Sequence, residues 1–266
     1  MTPYFSIIIP TLNEAKYLPK LLTCLQRQTM RDFEVIVVDA QSPDETLAKA
    51  NQFTAKLPSL LLLTTPQRNV SFQRNLGAKK AHGRIFLFMD ADTQIPLFYL
   101  DGIKYKLSKT RPDIFTTWLK ADTNNTQDKA IAVIINLGFE AGRFLDKPNG
   151  MGAMLGVTKK AFLQLKGFTP IIHYAEDQEF IRRAVEHNLK FAIFRDPAYT
   201  YSFRRFRKEG TLGNLRQFAK LQTQLLQNGY FKSQPADYPM GGHHFTQFPP
   251  SFWDKLNYSL KKIFPG

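Results

Sequence analysis

The sequence predicts an α/β protein with a mostly parallel central sheet flanked by helices. Three observations carry this. Short apolar runs alternate with helix-periodic segments through the first third of the chain. The runs are apolar throughout, as in strands buried on both faces. The intervals between them are long enough for crossover helices, as parallel neighbours require.

FSIIIP (residues 5–10) is the first run, closed by a turn. Leu18, Leu21, Leu22 and Leu25 then repeat with helical spacing. FEVIVVD (33–39) is a second strand, rich in β-branched residues. It leads into Ser42-Pro43-Asp44-Glu45, which reads as a capping box with Pro43 at the first helical position. LLLLT (60–64) is a third strand, a helix spans about 71–81 with Gly83 as its stop, and RIFLFMD (84–90) is a fourth strand. Further on, strands are predicted over 114–119 and 153–157, and helices over 128–145 and 177–187. A basic stretch, SFRRFRKEG (202–210), precedes a helix predicted over 211–227. After Gly229, Pro235, Pro239, Pro249, Pro250 and the pair Gly241-Gly242 predict an irregular tail. It ends in SFWDKLNYSLKKIFPG, where Phe252, Trp253, Leu256, Leu260, Ile263 and Phe264 can share one helix face, either packed on the domain or lying in a membrane interface.

With 266 residues, 43% of them hydrophobic, the chain can build a substantial core and is not a disordered sequence. No internal repeat stands out. The single cysteine, Cys24, cannot form an internal disulfide and falls in a helical pattern as a small buried hydrophobe, which predicts a reducing compartment. The N-terminus lacks the basic and apolar regions of a signal peptide. The longest apolar candidate for a membrane span, AIAVIINLGF (130–139), is short and closely followed by Glu140 and Arg143. The expectation is a cytoplasmic protein, soluble or peripheral on the inner face of the cell membrane. A formal charge of +14, from 36 Lys+Arg against 22 Asp+Glu, calls for anionic partners: nucleotides, nucleic acid or an anionic membrane.

Ligands of parallel sheets bind beyond the carboxyl ends of the strands. This selects Thr11, Asn13 and Glu14 after the first strand, Asp39 after the second, and Asp90 and Asp92 after the fourth. A dinucleotide site is excluded, because PTLNEAKYL holds no glycine where G-x-G-x-x-G is needed, and a Walker A loop is absent. Asp90 and Asp92, two apart on an extended chain, face one side and suit Mg²⁺ or Mn²⁺ shared with a substrate diphosphate. The alternative is that Asp92 caps a helix beginning near Pro96.

PTLNE, VVDAQSPDET and RNLGAKKAHGRIFLFMDADT, in this order and spacing, resemble the nucleotide-sugar domain of glycosyltransferase family 2, the inverting GT-A fold. A further block, GAMLGVTKKAFLQLKGF…YAEDQEFIRRAVEHNLKFAIF (152–194), is similar to that family's acceptor-side region. The resemblance covers roughly residues 4–215. It implies a GT-A domain over 1–230, with a nucleotide-binding half (1–93) and an acceptor half (94–230), followed by the tail (231–266). It implies that Pro10, Thr11 and Glu14 lie near the nucleoside, that Asp39 contacts the base, and that Arg74 and Asp90 border base and ribose. Asp92 would hold the cation, Asp177 would be the general base, and Glu176 and Gly152 would line the acceptor side. Arg204, Arg205 and Arg207 suit bidentate phosphate contacts. His243 and His244 are the tail's candidates for reaching the metal or acceptor, although surface histidines are commoner than ligands.

The implied activity is metal-assisted transfer of a sugar from a UDP- or GDP-sugar to a hydroxyl of a lipid-linked or envelope saccharide. The Q-x-x-R-W of processive synthases is replaced by RRFRKEG, so one sugar per encounter is expected. Two other classes stay open at this point. A nucleotidyltransferase would want a Gly- and Lys/Arg-rich loop that PTLNE does not supply. A nucleic-acid-binding module could use YSFRRFRK (201–208), but no recognisable motif supports it and no nucleic acid is expected.

Overall fold

A computed structural model describes residues 2–145, 147–172 and 175–204. Arg205, Arg207, the helix expected over 211–227, His243, His244 and the amphipathic C-terminal segment lie outside the described residues. The described chain runs β1 (Phe5–Thr11), α1 (Leu18–Gln26), β2 (Phe33–Asp39), α2 (Thr46–Asn51), β3 (Leu60–Thr64), α3 (Val70–Lys80), β4 (Ile85–Met89) and α4 (Tyr99–Thr110). It continues through β5 (Ile114–Ala121), α5 (Thr126–Phe144), β6 (Met154–Thr158), α6 (Lys159–Gln164), α7 (Glu176–Glu186) and β7 (Phe191–Tyr201).

The strands form one seven-stranded sheet in the order β3-β2-β1-β4-β6-β5-β7. Pairings β1–β2, β1–β4, β2–β3 and β5–β7 are parallel, while β6 runs antiparallel to both β4 and β5. The mostly parallel α/β sheet read from the sequence is therefore the observed one. Alternate residues of β1 face opposite layers. Ile7 and Ile9 pack with Leu18, Leu22, Leu100, Ile103, Ile131 and Ile135, so α1, α4 and α5 cover one side. Ile8 packs with Ala78, Phe162, Phe180 and Ala184, so α3, α6 and α7 cover the other. Strands β1, β2 and β4 are buried along their whole length, as uniform apolar runs require. β3 is an edge strand and only partly buried, so its uniform leucines overstate its burial.

Three elements are missing from the sequence reading: α6, β7 and α4, although Leu100, Ile103 and Leu107 of α4 carry helical spacing. In β7, Asp196-Pro197 interrupts the apolar run, and Arg195 and Asp196 are exposed. Two local expectations are corrected. Ser42-Pro43-Asp44-Glu45 does not form a capping box: α2 begins at Thr46, its capping residue, Glu45, makes no side-chain cap bond, and the side chain that meets the helix start is Asp44, accepting from the Thr46 N–H (3.0 Å). The Ser42 hydroxyl is used otherwise, donating to Asp39 Oδ1 (2.6 Å) and accepting from the Asn13 N–H (2.8 Å). Strand β4 stops at Met89, so Asp90 and Asp92 lie in a turn closed by the Thr93 N–H donating to the Asp90 carbonyl (3.0 Å). The period-two argument for their common direction does not hold there.

Antiparallel β6 positions the site. Its register places Met154 opposite Met89, so the segment entering β6, including Gly152, meets the end of β4. The Asp90 N–H donates to the Ala153 carbonyl (3.2 Å), fixing this junction.

Candidate active site

Three linked groups of polar side chains stand at the carboxyl ends of β1, β2 and β4. The first belongs to the β1–β2 pair. Pro10 and Thr11 are the last residues of β1, opposite Val38 and Asp39. The β1–β4 pairing stops at Ile8–Phe88, before Pro10, which suits a residue with no N–H. Asp39 is fully buried. It accepts from Thr11 Oγ1 (2.8 Å), Ser42 N (2.7 Å) and Ser42 Oγ (2.6 Å). Oδ1 therefore ties Ser42 of the loop after β2 to Thr11 at the end of β1, while Oδ2 closes the β2 loop on itself. Gln73 from α3 locks the same corner, donating to the Thr11 (2.9 Å) and Val38 (2.7 Å) carbonyls.

The second group joins Glu14, Asp92 and Arg204. The Arg204 guanidinium donates two bonds to Glu14, Nη2 to Oε1 (2.8 Å) and Nη1 to Oε2 (3.2 Å), and its Nε lies 3.0 Å from Asp92 Oδ2. It also lies 4.3 Å from the centroid of the Tyr17 ring, an attractive cation–π arrangement. Burial would lower the Arg204 pKa, but the Asp92 and Glu14 carboxylates outweigh it and hold the guanidinium charged. Burial pushes the Glu14 carboxyl up to about 7, against the pull of its bonds from Arg204. Asp92 does not cap α4, which starts at Tyr99 with no side-chain cap.

The third group is built on Arg74, a wholly buried arginine of α3. Nη1 donates to Glu176 Oε1 (2.6 Å), and Nη2 to Asp90 Oδ1 (3.1 Å) and to the Gly152 carbonyl (3.1 Å). Its guanidinium sits 5.2 Å from the Phe168 ring, itself stacked on Phe180 at 4.5 Å. Asp177 opens α7 beside Glu176. It accepts from the Gly152 N–H and from its neighbour's Gln178 N–H (2.7 Å). Burial, and then the Glu176 charge, push the Asp177 carboxyl up to about 7, although Arg74 and the two N–H bonds pull the other way. A carboxyl poised near neutrality at the mouth of a sheet is the kind of group that can exchange protons with a substrate.

Gly152 is the hinge of this group. A Cβ there would lie 2.5 Å from Arg74 Nη2, so only glycine lets the guanidinium reach both Asp90 and the Gly152 carbonyl. Gly152→Ala is expected to cost about 1–3 kcal/mol in stability by overpacking. It is also expected to weaken whatever binds beside Asp90, as read by a thermal melt together with a ligand titration.

The structure thus brings together Arg74, Asp90, Gly152, Glu176 and Asp177 in one cluster, and Glu14, Asp92 and Arg204 in another. The sequence reading missed Tyr17, Ser42, Gln73 and Thr46, whose hydroxyl accepts from the Glu14 N–H (2.9 Å). Tyr17 and Ser42 sat inside the very motifs PTLNEAKYL and VVDAQSPDET that drew attention to their neighbours. Asp90 and Asp92, expected to face one ligand, each hold a different arginine.

The acids also define what cation the site can take. Among the described residues, no three His, Cys, Asp or Glu side chains cluster as a cage. Asp90 keeps 40% of its side chain exposed and Asp92 already attracts a cationic group. This donor set fits a divalent ion that completes its shell with substrate oxygens and water.

Comparison with known proteins shows the family and the fold. The model of the family described as glycosyl transferase family 2 matches residues 6–162, more than half of the 266-residue chain. A "PGL/p-HBAD biosynthesis glycosyltransferase" of Mycobacterium bovis is 44% identical over 94 residues, covering 35% of this chain and 37% of that protein. The dolichol-phosphate mannosyltransferase of Pyrococcus furiosus is 37% identical over 92 residues, covering 34% of this chain and 26% of that protein. The matched stretch thus spans about a third of these relatives' length or less. Among solved structures, residues 1–349 of Staphylococcus aureus TarS in complex with UDP-GlcNAc share the fold with a TM-score of 0.61 at 24% identity, covering 75% of this chain and 58% of that one. The mannosyltransferase PcManGT of Pyrobaculum calidifontis, in complex with GDP-Man and Mn²⁺, gives a TM-score of 0.62 at 20% identity, covering 84% and 65%. On the family match, supported by the shared fold, the chain belongs to glycosyl transferase family 2.

Proposed function

We propose that this chain transfers one sugar from a UDP- or GDP-sugar to a hydroxyl of a saccharide or lipid-linked acceptor, with inversion at the anomeric carbon. The observation that carries the reading is the placement of Asp177. Its carboxylate accepts from the N–H of Gly152, in the segment that enters β6 beside the end of β4, and burial raises its pKa to about 7. In this reading the nucleoside lies over Pro10, Thr11, Glu14 and Asp39, with Arg74 and Asp90 bordering the ribose. Asp177 takes the proton from the acceptor hydroxyl as its oxygen bonds to the anomeric carbon. The bond from that carbon to the diphosphate breaks on the opposite side, and its electron pair leaves with the diphosphate. Gly152 and Glu176 shape the acceptor side.

A divalent cation, held by Asp92 with Asp90 nearby, would supply charge stabilisation for the departing diphosphate. Arg204 is the chain's own group for the same anionic region. Its present partners are the acids Glu14 and Asp92, so binding the donor requires it to exchange one of them for phosphate oxygens.

The test is a panel of nucleotide sugars titrated calorimetrically with and without Mn²⁺, followed by product analysis for the new anomeric configuration. A UDP- or GDP-sugar is expected to bind in a metal-dependent way and to be slowly hydrolysed without acceptor. Asp92→Ala is expected to weaken metal-dependent donor binding by at least roughly 10–100-fold, since loss of even an outer-shell partner of a metal ligand costs that much. Pyrophosphate release from a nucleoside triphosphate and a sugar phosphate would replace this reading with nucleotidyl transfer.

A further inference from the structure

The segment AIAVIINLGF has one property that sugar transfer does not use. It forms most of α5, and α5 is apolar on both of its faces. Ile131, Ala132, Ile135 and Phe139 pack into the core. The opposite face carries Ala130, Val133, Ile134, Leu137, Ala141 and Phe144, all exposed. Val133, Ile134 and Leu137 are 56%, 59% and 56% exposed, and Phe144 is 87% exposed. A helix that is hydrophobic all round is normally buried all round. The outward stripe is about 21 Å long, from a rise of about 1.5 Å per residue. An apolar surface of this extent marks an interaction site.

The rim of the stripe tells what covers it. Lys129 and Arg143 flank it on α5, and Lys147 follows, its N–H donating to the Gly142 carbonyl (2.8 Å). Among the described residues the acid on this flank, Glu140, is shared by two guanidiniums, Arg195 (2.8 Å) and Arg143 (3.4 Å), and with Asp146 counted from the sequence the cations Lys129, Arg143, Lys147 and Arg195 still outnumber the acids. Two copies of the stripe face to face would bring these cations together. The chain's own C-terminal segment carries Lys255, Lys261 and Lys262 against Asp254 and meets the same repulsion. An anionic bilayer has the opposite sign and an apolar interior for the side chains. We infer that the outer face of α5 docks the protein on an anionic phospholipid surface, with Ile134, Leu137 and Phe144 entering the interface and Lys129, Arg143 and Lys147 meeting the headgroups.

The stripe also points at the acceptor side. From Lys147 the chain runs directly to Gly152, whose N–H is bonded to Asp177. A bilayer on α5 would present an acceptor anchored in lipid to that end of the site. Docking itself is independent of sugar transfer and is measured without it, so failure of one reading leaves the other standing.

The experiment is flotation of the full chain with phosphatidylglycerol-containing vesicles and with pure phosphatidylcholine vesicles. Binding is expected to the first, weakened by salt, and to fall about tenfold or more in the triple variant Ile134→Ser, Leu137→Ser, Phe144→Ser. These side chains are outside the core, so the variant's circular dichroism melt should match wild type. Should the triple variant fail to fold, the gentler Phe144→Trp carries the test. Its added emission should shift to the blue, and be quenched by brominated phosphatidylglycerol, only when vesicles are present. Three results would overturn the inference: undiminished flotation of a folded triple variant, a dimer in solution that the triple variant dissociates, or emission added by Phe144→Trp that is already blue without vesicles and moves to the red on deleting residues 251–266.

Discussion

Asp177→Asn is expected to lower sugar transfer by about 10²–10⁴-fold, the usual contribution of a general base, while leaving nucleotide-sugar binding near wild type. In the proposed reading the residue serves the acceptor, and its bonds go to the Gly152 and Gln178 N–H groups rather than to Thr11, Asp39 or Glu14, so the substitution leaves those donor contacts in place. The pH profile gives a second readout. The Asp177 carboxyl is raised from 3.8 to about 7 by burial and by Glu176. A base acts only when deprotonated, so kcat/KM should climb with pH up to about 7 and level off above it. Asp177→Asn should abolish the limb along with the rate. The stability sign is the reverse. A carboxyl whose folded pKa lies above its unfolded value stabilises the fold at low pH and loses that contribution as pH rises through about 7. At pH 8 the asparagine variant should therefore melt no lower than wild type by virtue of charge. Transfer at the wild-type rate with the acid limb intact would remove Asp177 from the role of base.

Much of this arrangement was readable in the sequence because it depends on chain order. Strands β1, β2 and β4 are continuous apolar runs, and the rule that ligands bind at their carboxyl ends selects Thr11, Glu14, Asp39, Asp90 and Asp92 without coordinates. What escaped depends on pairing between distant segments. Nothing local shows that Arg74 would be buried between Asp90 and Glu176, which stands 102 residues further along. Nor does local pattern reveal that β6 runs antiparallel and so delivers Gly152 to the end of β4. The capping-box misreading has the same origin. Ser42 had a local use at a helix start, but its hydroxyl bonds Asp39 three residues back and accepts from the Asn13 N–H, 29 residues away in the loop after β1, and a buried polar group left unpaired costs more than an open helix end. For α5 the sequence stated the composition but not the exposure. An apolar decamer looks the same whether both of its faces are covered or one is not.

Arg74→Met is expected to destabilise the fold by about 3–5 kcal/mol, the cost of removing one partner of a buried ion pair. That corresponds to roughly 6–20 °C in Tm for a chain of this size. The magnitude follows from what the variant leaves behind. Glu176 keeps only 12% of its side chain exposed and would lose its 2.6 Å partner, while Asp90 and the Gly152 carbonyl would lose theirs. Methionine fills the space over Phe168 but supplies no donor, so the loss is electrostatic rather than a cavity. A double variant separates the two. Adding Glu176→Gln removes the stranded charge and should restore part of the lost stability, whereas a packing defect would be untouched by it. Arg74→Lys should fall between, because one ammonium cannot reproduce the fork that spans Glu176, Asp90 and Gly152 at once. If Arg74→Met melts within a degree or two of wild type, the guanidinium is not what ties α3, β4 and α7 together, and the positioning of Asp177 must be sought in the Gly152 backbone alone.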